Sequence, residues 1–317
     1  MMRGLRNRAL MAGAFITAFF LLALPAAHAE ESQFAYVYTT DLLPKGAKEV
    51  EQWLTWRHGR SQGDFDVWEG RTEFELGVTD KFQAAIYANY ATTRTFHNNV
   101  DGTTAPPESF AEAFPGADEH YRASKFVGVS VEGIYRIMSP YTDPFGLAVY
   151  LEPTVGKDLW EMETRIILQK NFLDDRLVTA FNITVGQEAR RLPADPSAAP
   201  GDVEASRHWD HETDVNFGFA ASYRFVSNWS LGAEFLNERE FSSFAIKSDT
   251  RTNSAYYFGP TLHYGGKDFF ITAAFLKQLR GAKDYANSGA DSFVVNGISN
   301  ADDFEKYRLR IKAGLYF

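Results

Sequence analysis

A short run of histidine and carboxylate residues offers ligands that metal ions prefer. His208, Asp210, His211 and Glu212 lie within five positions, and imidazole and carboxylate groups bind zinc, copper or calcium. In a strand, alternate residues share a face, so His208, Asp210 and Glu212 would point the same way, but the rise of about 3.3 Å per residue spreads them out. The run is therefore a weak candidate for a metal site. A solvated acidic loop shoulder is the alternative, and no cofactor is predicted.

Catalysis is the second chemistry that the sequence could support. A barrel hydrolase needs a nucleophile or a water molecule held by a histidine and a carboxylate or amide within hydrogen-bond reach. His263 near Thr261, and His58 near the first loop, are the histidines that could serve. Neither lies in the serine- and asparagine-bearing signature of lipid-degrading barrels. We therefore predict that the protein is not an enzyme and keep a lipid hydrolase of the outer membrane as the less favoured alternative.

Charged residues of both signs alternate with apolar residues along much of the chain. Between positions 68 and 78 the even residues are mainly apolar and residues 69, 71, 73 and 75 are charged, a period of two that predicts a strand with one apolar face. If such strands close into a barrel, their charged face lines the lumen. The predicted lumen-lining residues are then Arg71, Glu73, Glu75, Glu132, Arg136, Glu161, Glu163, Arg165, Glu234, Arg308 and Arg310. Two interpretations stay open: ion pairs that fill the lumen, or the lining of a narrow aqueous path.

The same alternation recurs in segments joined by short turns and long connections in alternation. The short turns are predicted at 79–81, 139–144, 173–175, 226–228 and 265–267, and the long connections at 92–123, 189–208, 242–253 and 280–303. Outer-membrane barrels place short turns on the periplasmic side, long loops outside, and an apolar band facing lipid. We predict an all-β fold over residues 48–317, a transmembrane antiparallel up-and-down β-barrel of about twelve strands.

The N-terminus has the pattern of a secretory signal peptide. Three arginines precede an apolar run from Ala9 to Leu24, and Ala27-His28-Ala29 follows as a cleavage-type motif. We expect residues 1–29 to be the signal peptide. Residues 30–47 contain Pro44 and no full strand, and the sequence leaves open whether they are a periplasmic lead-in or a segment folded into the lumen.

Composition limits the partners. The formal net charge of −9 makes nucleic acid an improbable partner, and a chain without cysteine has no disulfides. Outer-membrane lipid and lipopolysaccharide are the expected surroundings. Two acidic pairs, Asp118-Glu119 and Asp302-Asp303, are weak candidates for divalent ions that bridge lipopolysaccharide.

The final strand carries the resemblance to a known class of protein. Apolar residues alternate from Tyr307 to Leu315, and Phe317 follows, a terminus that resembles the sorting signal of Gram-negative outer-membrane β-barrels. With Leu-Pro-Lys-Gly at 43–46 and Glu49 and Trp53 after it, the chain resembles uncharacterised, transporter-like outer-membrane barrels. The resemblance implies an assembly signal at Tyr307, Leu315 and Phe317, recognised by the barrel-assembly machinery after passage with periplasmic chaperones.

The function predicted from these observations is a narrow channel for passive transport of small polar or charged solutes, in a monomer of the cell outer membrane. A closed structural or binding barrel that acts through its surface loops is the alternative. A basic final strand that faced a separate acidic wall would favour conduction. The sequence does not identify the solute, the state of the lumen, or whether the loop at 92–123 folds inward.

Overall fold

The computed structural model describes residues 32–60, 63–97, 106–116, 118–196, 198–281, 283–285, 293–295, 298–300 and 304–317. The predicted signal peptide and the acidic pair Asp302-Asp303 lie outside the described residues.

Twelve antiparallel strands form the barrel, which confirms the predicted fold. They are β1 (Lys48–His58), β2 (Asp64–Thr79), β3 (Phe82–Phe96), β4 (Tyr121–Met138), β5 (Gly146–Gly156), β6 (Leu159–Phe172), β7 (Leu177–Leu192), β8 (His208–Val226), β9 (Trp229–Phe241), β10 (Arg251–Gly265), β11 (Phe269–Gln278) and β12 (Tyr307–Tyr316). A two-residue strand, Lys283–Asp284, pairs with β10, and Phe293–Val295 pairs with Ile298–Asn300. Each barrel strand pairs with its neighbours in sequence.

The barrel closes between its first and last strands. β12 pairs with β11 on one side and with β1 on the other, in a register that places Val50 opposite Leu315. Backbone bonds between Lys48 and Phe317 extend this seam in both directions, at 3.2 Å and 3.0 Å. Among the described residues, closure pairs each of the twelve wall strands on both sides, which is what a β-structure in lipid requires.

The two faces of the wall have opposite chemistry. Buried positions in the strands include many carboxylates, amides and hydroxyls, whereas large apolar residues such as Val131, Ile166 and Phe258 are exposed on the outside. A water-soluble protein has the reverse distribution. The exposed apolar surface is the band that a lipid-facing barrel presents.

Aromatic side chains mark both ends of this band. Six aromatic residues are exposed at the end that carries the short turns: Phe145, Phe172, Phe225, Trp229, Phe269 and Phe317. Trp68, Tyr90 and Trp160 are exposed toward the end that carries the long loops. Rings with one wet edge are favoured at a membrane interface, so the two belts fit a barrel that spans a bilayer.

Helical structure among the described residues is limited to two 3-10 turns, Glu108–Phe110 and Val203–Ala205. Neither they nor any other helix in the part of the chain that the structure describes is long and apolar enough to cross a membrane.

Candidate functional site

Residues 32–47, which we call the lumenal segment, run through the inside of the barrel. The sequence left two positions open for these residues, and the structure places them in the lumen. Phe34, Ala35, Val37 and Leu43 are buried there. The segment forms no strand before Lys48, so its backbone groups must be satisfied by side chains of the wall.

One wall carboxylate holds the middle of the lumenal segment. Glu234, on β9 and fully buried, accepts the backbone N–H groups of Ala35 and Tyr36 at 2.8 Å each and that of Val37 at 3.0 Å. Three successive N–H groups aimed at one carboxylate form charge-assisted bonds, which are stronger than neutral ones. Glu234 is one of the residues predicted to face the lumen, but its bonding to the segment was not predicted.

Three uncharged amides hold the rest of the backbone. The Asn182 side chain accepts the N–H of Tyr38 at 2.6 Å and donates to the Tyr38 carbonyl at 2.9 Å. Gln169 accepts the N–H of Thr40, and Gln83 accepts the N–H of Leu43, both at 2.7 Å. The sequence analysis missed these residues because it searched for charge. Their signal was an amide at an inward position of a strand.

Two apolar clusters anchor the segment sideways. Phe34 and Val37 pack with Ala220, Leu236 and Tyr257, and Leu42 packs with Ile134 and Ile167 near Tyr38. Burial of each large side chain contributes roughly 1.5–3 kcal/mol. The lumenal segment is therefore bound by the wall in the way that a folded protein binds an extended peptide.

The segment leaves the lumen through a sharp turn at Gly46. Gly46 has φ +85°, the left-handed region that favours glycine. Its N–H donates to the Gly77 carbonyl at 2.7 Å, and the Gly77 N–H donates to the Ala47 carbonyl at 3.0 Å. Arg136, a predicted lumen-lining residue, donates to the Thr40 carbonyl at 3.3 Å beside this exit.

A cavity of about 360 Å³ lies above the lumenal segment, toward the long-loop end. Tyr36 and Tyr38 form its floor, and Trp53 and Tyr150 contribute to its walls. Five of the predicted lumen-lining residues border it: Arg71, Glu161, Glu163, Arg165 and Arg310. We call this space the vestibule.

Arginines of the vestibule lie on aromatic rings, and two of these rings belong to the lumenal segment. The Arg310 guanidinium is 4.1 Å from the Tyr36 ring centroid, and the Arg165 guanidinium is 4.0 Å from that of Tyr38. Arg71 lies 4.7 Å from the Trp53 centroid. Cation–π contacts of this kind stabilise by about 0.5–2 kcal/mol each, so the floor is held from above as well as from the wall.

The mouth of the vestibule is narrowed by a loop. The turn Glu108–Phe110 folds inward, so that Ser109 borders the vestibule and Phe110 is buried. Glu108 forms an ion pair with Arg190 at 3.4 Å. The described part of the loop at 92–123 therefore folds over the lumen.

The segment that precedes β12 covers another part of the mouth. Glu305 is buried and accepts hydrogen bonds from Arg57, at 2.9 Å, and from Arg308. Burial alone would raise the pKa of the Glu305 carboxyl, but the guanidinium groups of Arg308 and Arg57 outweigh it and lower the pKa to about 2. Phe304 packs against Tyr257 beside it.

Two basic residues of β12, Arg308 and Lys312, are paired with nearby carboxylates. Lys312 Nζ lies 3.2 Å from Glu51 Oε1 across the seam, and Arg308 binds Glu238 and Glu305. The Lys312–Glu51 contact is a cross-strand ion pair between the final strand and the first. The structure therefore interleaves the two signs at this seam.

Three predicted lumen-lining glutamates lie below the vestibule. Glu73, Glu75 and Glu132 are buried, and carboxylate oxygens of Glu49, Glu51 and Glu75 lie within 4.8 Å of one another. Gln83, which holds Leu43, also donates to Glu75. These acids therefore connect the wall to the lumenal segment.

The candidate metal ligands do not converge. The His208 ring bonds the Ser206 carbonyl at 2.9 Å, and the His211 ring packs against Phe244 at 4.7 Å between centroids. The Asp210 carboxylate accepts a hydrogen bond from the backbone N–H of His211. Glu212 lies instead with two other carboxylates, Asp214 and Glu240, within 4.8 Å.

The two candidate catalytic histidines have different environments. His263 is buried, and its ring bonds the Thr272 hydroxyl at 2.7 Å. His58 bonds the Asp66 carboxylate at 2.8 Å. Each has one element of a catalytic arrangement, and neither borders the vestibule.

The predicted assembly residues lie on the outer face of the closing strand. Leu315 and Phe317 are exposed, and the Phe317 ring lies 6.2 Å from that of Phe74 between centroids. The Tyr307 ring stacks on Phe275 at 5.9 Å.

Comparisons with known proteins agree on the architecture. The model of a family of unknown function (DUF6662) matches residues 26–317, and no curated protein matches the chain. An outer membrane channel from Pseudomonas putida F1 aligns with a TM-score of 0.54 at 9% identity, over 88% of this chain and 98% of its own. The β domain of the Bordetella autotransporter BrkA aligns with a TM-score of 0.51 at 12% identity, over 86% and 100%. At these identities the similarity shows the fold, that of an outer-membrane β-barrel.

Proposed function

Because the chain belongs to this family of unknown function (DUF6662), we propose from its own geometry that it is a narrow outer-membrane channel for passive transport of small polar or charged solutes. The lumenal segment is the barrier in the path. The vestibule is the observation that carries this proposal, because it is a charged space of about 360 Å³ inside the lumen.

The lumenal segment crosses the lumen as an extended chain, which favours a channel over a solid barrel. Its backbone is held below the vestibule by hydrogen bonds to Glu234 and to the amides of Asn182, Gln169 and Gln83, so it can be displaced without breaking a covalent bond. A charged lining above such a barrier can select solutes by charge and hydrogen bonding. The similar structure from Pseudomonas putida F1 is described as an outer membrane channel, which supports the same class.

The proposal includes a route and a location. Export would use residues 1–29 as a signal peptide, and the barrel-assembly machinery would recognise Phe317 and its strand after passage with periplasmic chaperones. Both ends of the barrel wall lie at the short-turn end, where Lys48 and Phe317 meet. In an outer-membrane barrel this end is periplasmic, so the vestibule would open to the outside of a monomer surrounded by lipid and lipopolysaccharide.

Single-channel recording tests the proposal. The mature protein, from residue 30, would be refolded in detergent, checked by heat-modifiable gel migration, and inserted into a planar bilayer. We expect discrete current steps whose size rises when the lumenal segment is loosened by Glu234→Ala. Folded protein that stays silent both as wild type and as this variant would overturn the channel.

A closed binding barrel is the second candidate, and the lumenal segment is the observation that favours it. Two apolar clusters and a fully buried carboxylate fix this segment across the lumen. In that case the loops would carry the function. The same recording separates the two candidates, because a closed barrel gives no current in either form.

A further inference from the structure

The vestibule contains one charge of each sign that lacks an ionic partner in the part of the chain that the structure describes. Four arginines and five glutamates border it: Arg71, Arg165, Arg190, Arg310, Glu69, Glu152, Glu161, Glu163 and Glu188. Most are matched within 4 Å, and the charges that remain are those of Arg310 and Glu161.

Four ion pairs account for the other charged residues of the vestibule. Arg165 lies 2.6 Å from Glu163, Arg190 lies 2.7 Å from Glu188, and Arg71 lies 3.8 Å from Glu152. A fourth glutamate, Glu69, lies 3.0 Å from Arg57, which comes from outside the lining. These four pairs give an ionic partner to seven of the nine charged residues that border the vestibule.

Arg310 is held in place without a carboxylate. Its Nε–H donates to the Thr55 hydroxyl at 2.9 Å, and one Nη donates to the Ala35 carbonyl at 3.3 Å. The guanidinium lies over the rings of Tyr36 and Trp53. A guanidinium has five N–H donors, so a positioned cation with spare donors borders the vestibule.

The two charges lie on opposite sides of the barrel. Arg310 is on β12 and Glu161 is on β6, and in a closed ring of twelve strands these are six strands apart in either direction. A ligand that satisfies both must carry an anionic group at one end and a cationic group at the other.

We propose that the vestibule binds a small zwitterion, with its carboxylate on Arg310 and its ammonium on Glu161. A guanidinium pairs a carboxylate in a two-pronged geometry, and a carboxylate accepts from an ammonium. Such a ligand adds no net charge to the lumen, whereas a simple anion or cation leaves one of the two wall charges unmatched. The proposal rests on the proposed channel function and names the solute class of that same path.

The volume of the vestibule limits the size of the ligand. About 360 Å³ is at the small end of ligand-binding pockets. The tyrosine rings of the floor offer apolar surface to methylene groups between the two charges. Amino acids with the amine at the far end of the chain, and very short peptides, fit these limits.

The first experiment measures binding by titration calorimetry on the refolded mature protein. The probes are glycine, 4-aminobutyrate and 6-aminohexanoate, with butylamine and butyrate as singly charged controls. We expect one zwitterion length to bind at least tenfold tighter than either control. Equal binding of the zwitterions and of one control, or binding of none, would overturn the proposal.

Variants then locate the two ends of the ligand. Arg310→Gln should lower the affinity for the preferred zwitterion to that for butylamine. Glu161→Gln should lower the affinity for the zwitterion to that for butyrate. Arg310→Lys retains the charge without the two-pronged geometry and should retain more affinity than Arg310→Gln, which separates charge recognition from loosening of the floor. Arg280→Gln and Glu204→Gln change exposed residues and should bind as the wild type does. Retained affinity in both Arg310→Gln and Glu161→Gln would overturn the assignment.

Conductance separates this proposal from the proposed function. A protein that conducts but shows no preference for zwitterions disproves the ligand class and leaves the channel intact. A protein that binds the zwitterion but never conducts disproves the channel and leaves a binding barrel with the assigned site. If the preferred zwitterion reduces the current of the wild type but not that of Arg310→Gln, the result would support both the channel and the ligand site.

Discussion

Glu234 and Tyr36 connect the wall of the barrel to the chain inside it, with the carboxylate of Glu234 accepting the Tyr36 N–H at 2.8 Å. The same carboxylate also accepts the N–H groups on either side. The negative charge is therefore stabilised mainly by backbone dipoles, and the carboxylate fixes the middle of the lumenal segment.

Replacing Glu234 should loosen the lumenal segment. In Glu234→Ala, three buried N–H groups lose their acceptor, at a cost of roughly 1–3 kcal/mol for each that stays unsatisfied. We expect larger current steps and faster proteolysis of residues 32–47 in folded protein. Glu234→Gln keeps one acceptor oxygen, so its current steps and proteolysis rate should lie between those of the wild type and Glu234→Ala. Glu204→Ala changes an exposed position and should match the wild type. Unchanged proteolysis would contradict this role for Glu234.

A disulfide should lock the lumenal segment to the wall. The Cγ2 atom of Val37 lies 3.0 Å from the position of a Cβ at residue 218, and a disulfide separates one Cβ from the far sulfur by about 3 Å. The chain has no other cysteine. Val37→Cys with Gly218→Cys, added to Glu234→Ala, should return the current to the wild-type level when oxidised.

Reduction provides the control for the locked protein. Adding a thiol reductant should restore the larger current of Glu234→Ala, and each single cysteine variant should respond to neither treatment. A locked protein that conducts as well as the unlocked one would mean that the lumenal segment is not the barrier.

The Lys312–Glu51 pair should be important for closure of the barrel. Both side chains are buried, with Nζ 3.2 Å from Oε1. Lys312→Met leaves the Glu51 charge without this cation, and loss of one partner of a buried pair costs roughly 3–5 kcal/mol. We expect a lower midpoint of urea unfolding in lipid vesicles. Adding Glu51→Gln should recover part of the loss, and a double variant no more stable than Lys312→Met would argue against the pairing.

Acid should weaken the segment before β12. The pKa of Glu305 falls from 4.5 in the unfolded chain to about 2 in the folded protein. A lowered pKa gives stability that is fully present above about pH 4.5 and is lost as the pH falls to about 2. At roughly 1.4 kcal/mol per pKa unit, the contribution is about 3 kcal/mol. As the pH is lowered from 7 to 2, the unfolding temperature should fall more steeply for the wild type than for Glu305→Gln. Parallel curves of unfolding temperature against pH would contradict the low pKa.

Removal of Phe317 should impair assembly more than stability. Its backbone bonds Lys48 in both directions, but its ring is exposed. If the ring is an assembly signal, its deletion should lower the amount of heat-modifiable barrel in outer membranes of cells, with little effect on refolding in detergent. Phe172→Ala removes another exposed ring at the short-turn end and should assemble normally. Equal losses in cells and in detergent would indicate a role in stability alone.

The twelve strands were predictable because each wall residue has only two environments. A period of two separates the lipid face from the lumen along every strand, and the confirmed alternation from Trp68 to Val78 needs no knowledge of the neighbours. Short turns then set the order of the strands. The exact strand ends depend on pairing with neighbours, as at Lys48, whose backbone pairs with Phe317 across the seam.

The lumenal segment was not predictable by the same logic. Phe34, Tyr36 and Tyr38 alternate as in a strand, but their backbone bonds go to the side chains of Glu234 and Asn182. These partners are more than 140 positions away, and only closure of the barrel brings them together. For the same reason, the predicted lumen-lining charges carried no information on which of them would form an ion pair, as Arg308 does, and which would lack an ionic partner, as Arg310 does.

The turn at Gly46 determines what becomes of the lumenal segment once it is displaced. The segment is continuous with β1, so a freed chain of residues 32–45 stays tethered to the rim and reaches only about 20 Å on average, by the scaling of a flexible linker. Confinement to that radius corresponds to an effective concentration in the millimolar range. Reinsertion is then an intramolecular event, independent of how much protein the membrane holds, and any competing free peptide must exceed that local concentration to keep the lumen open.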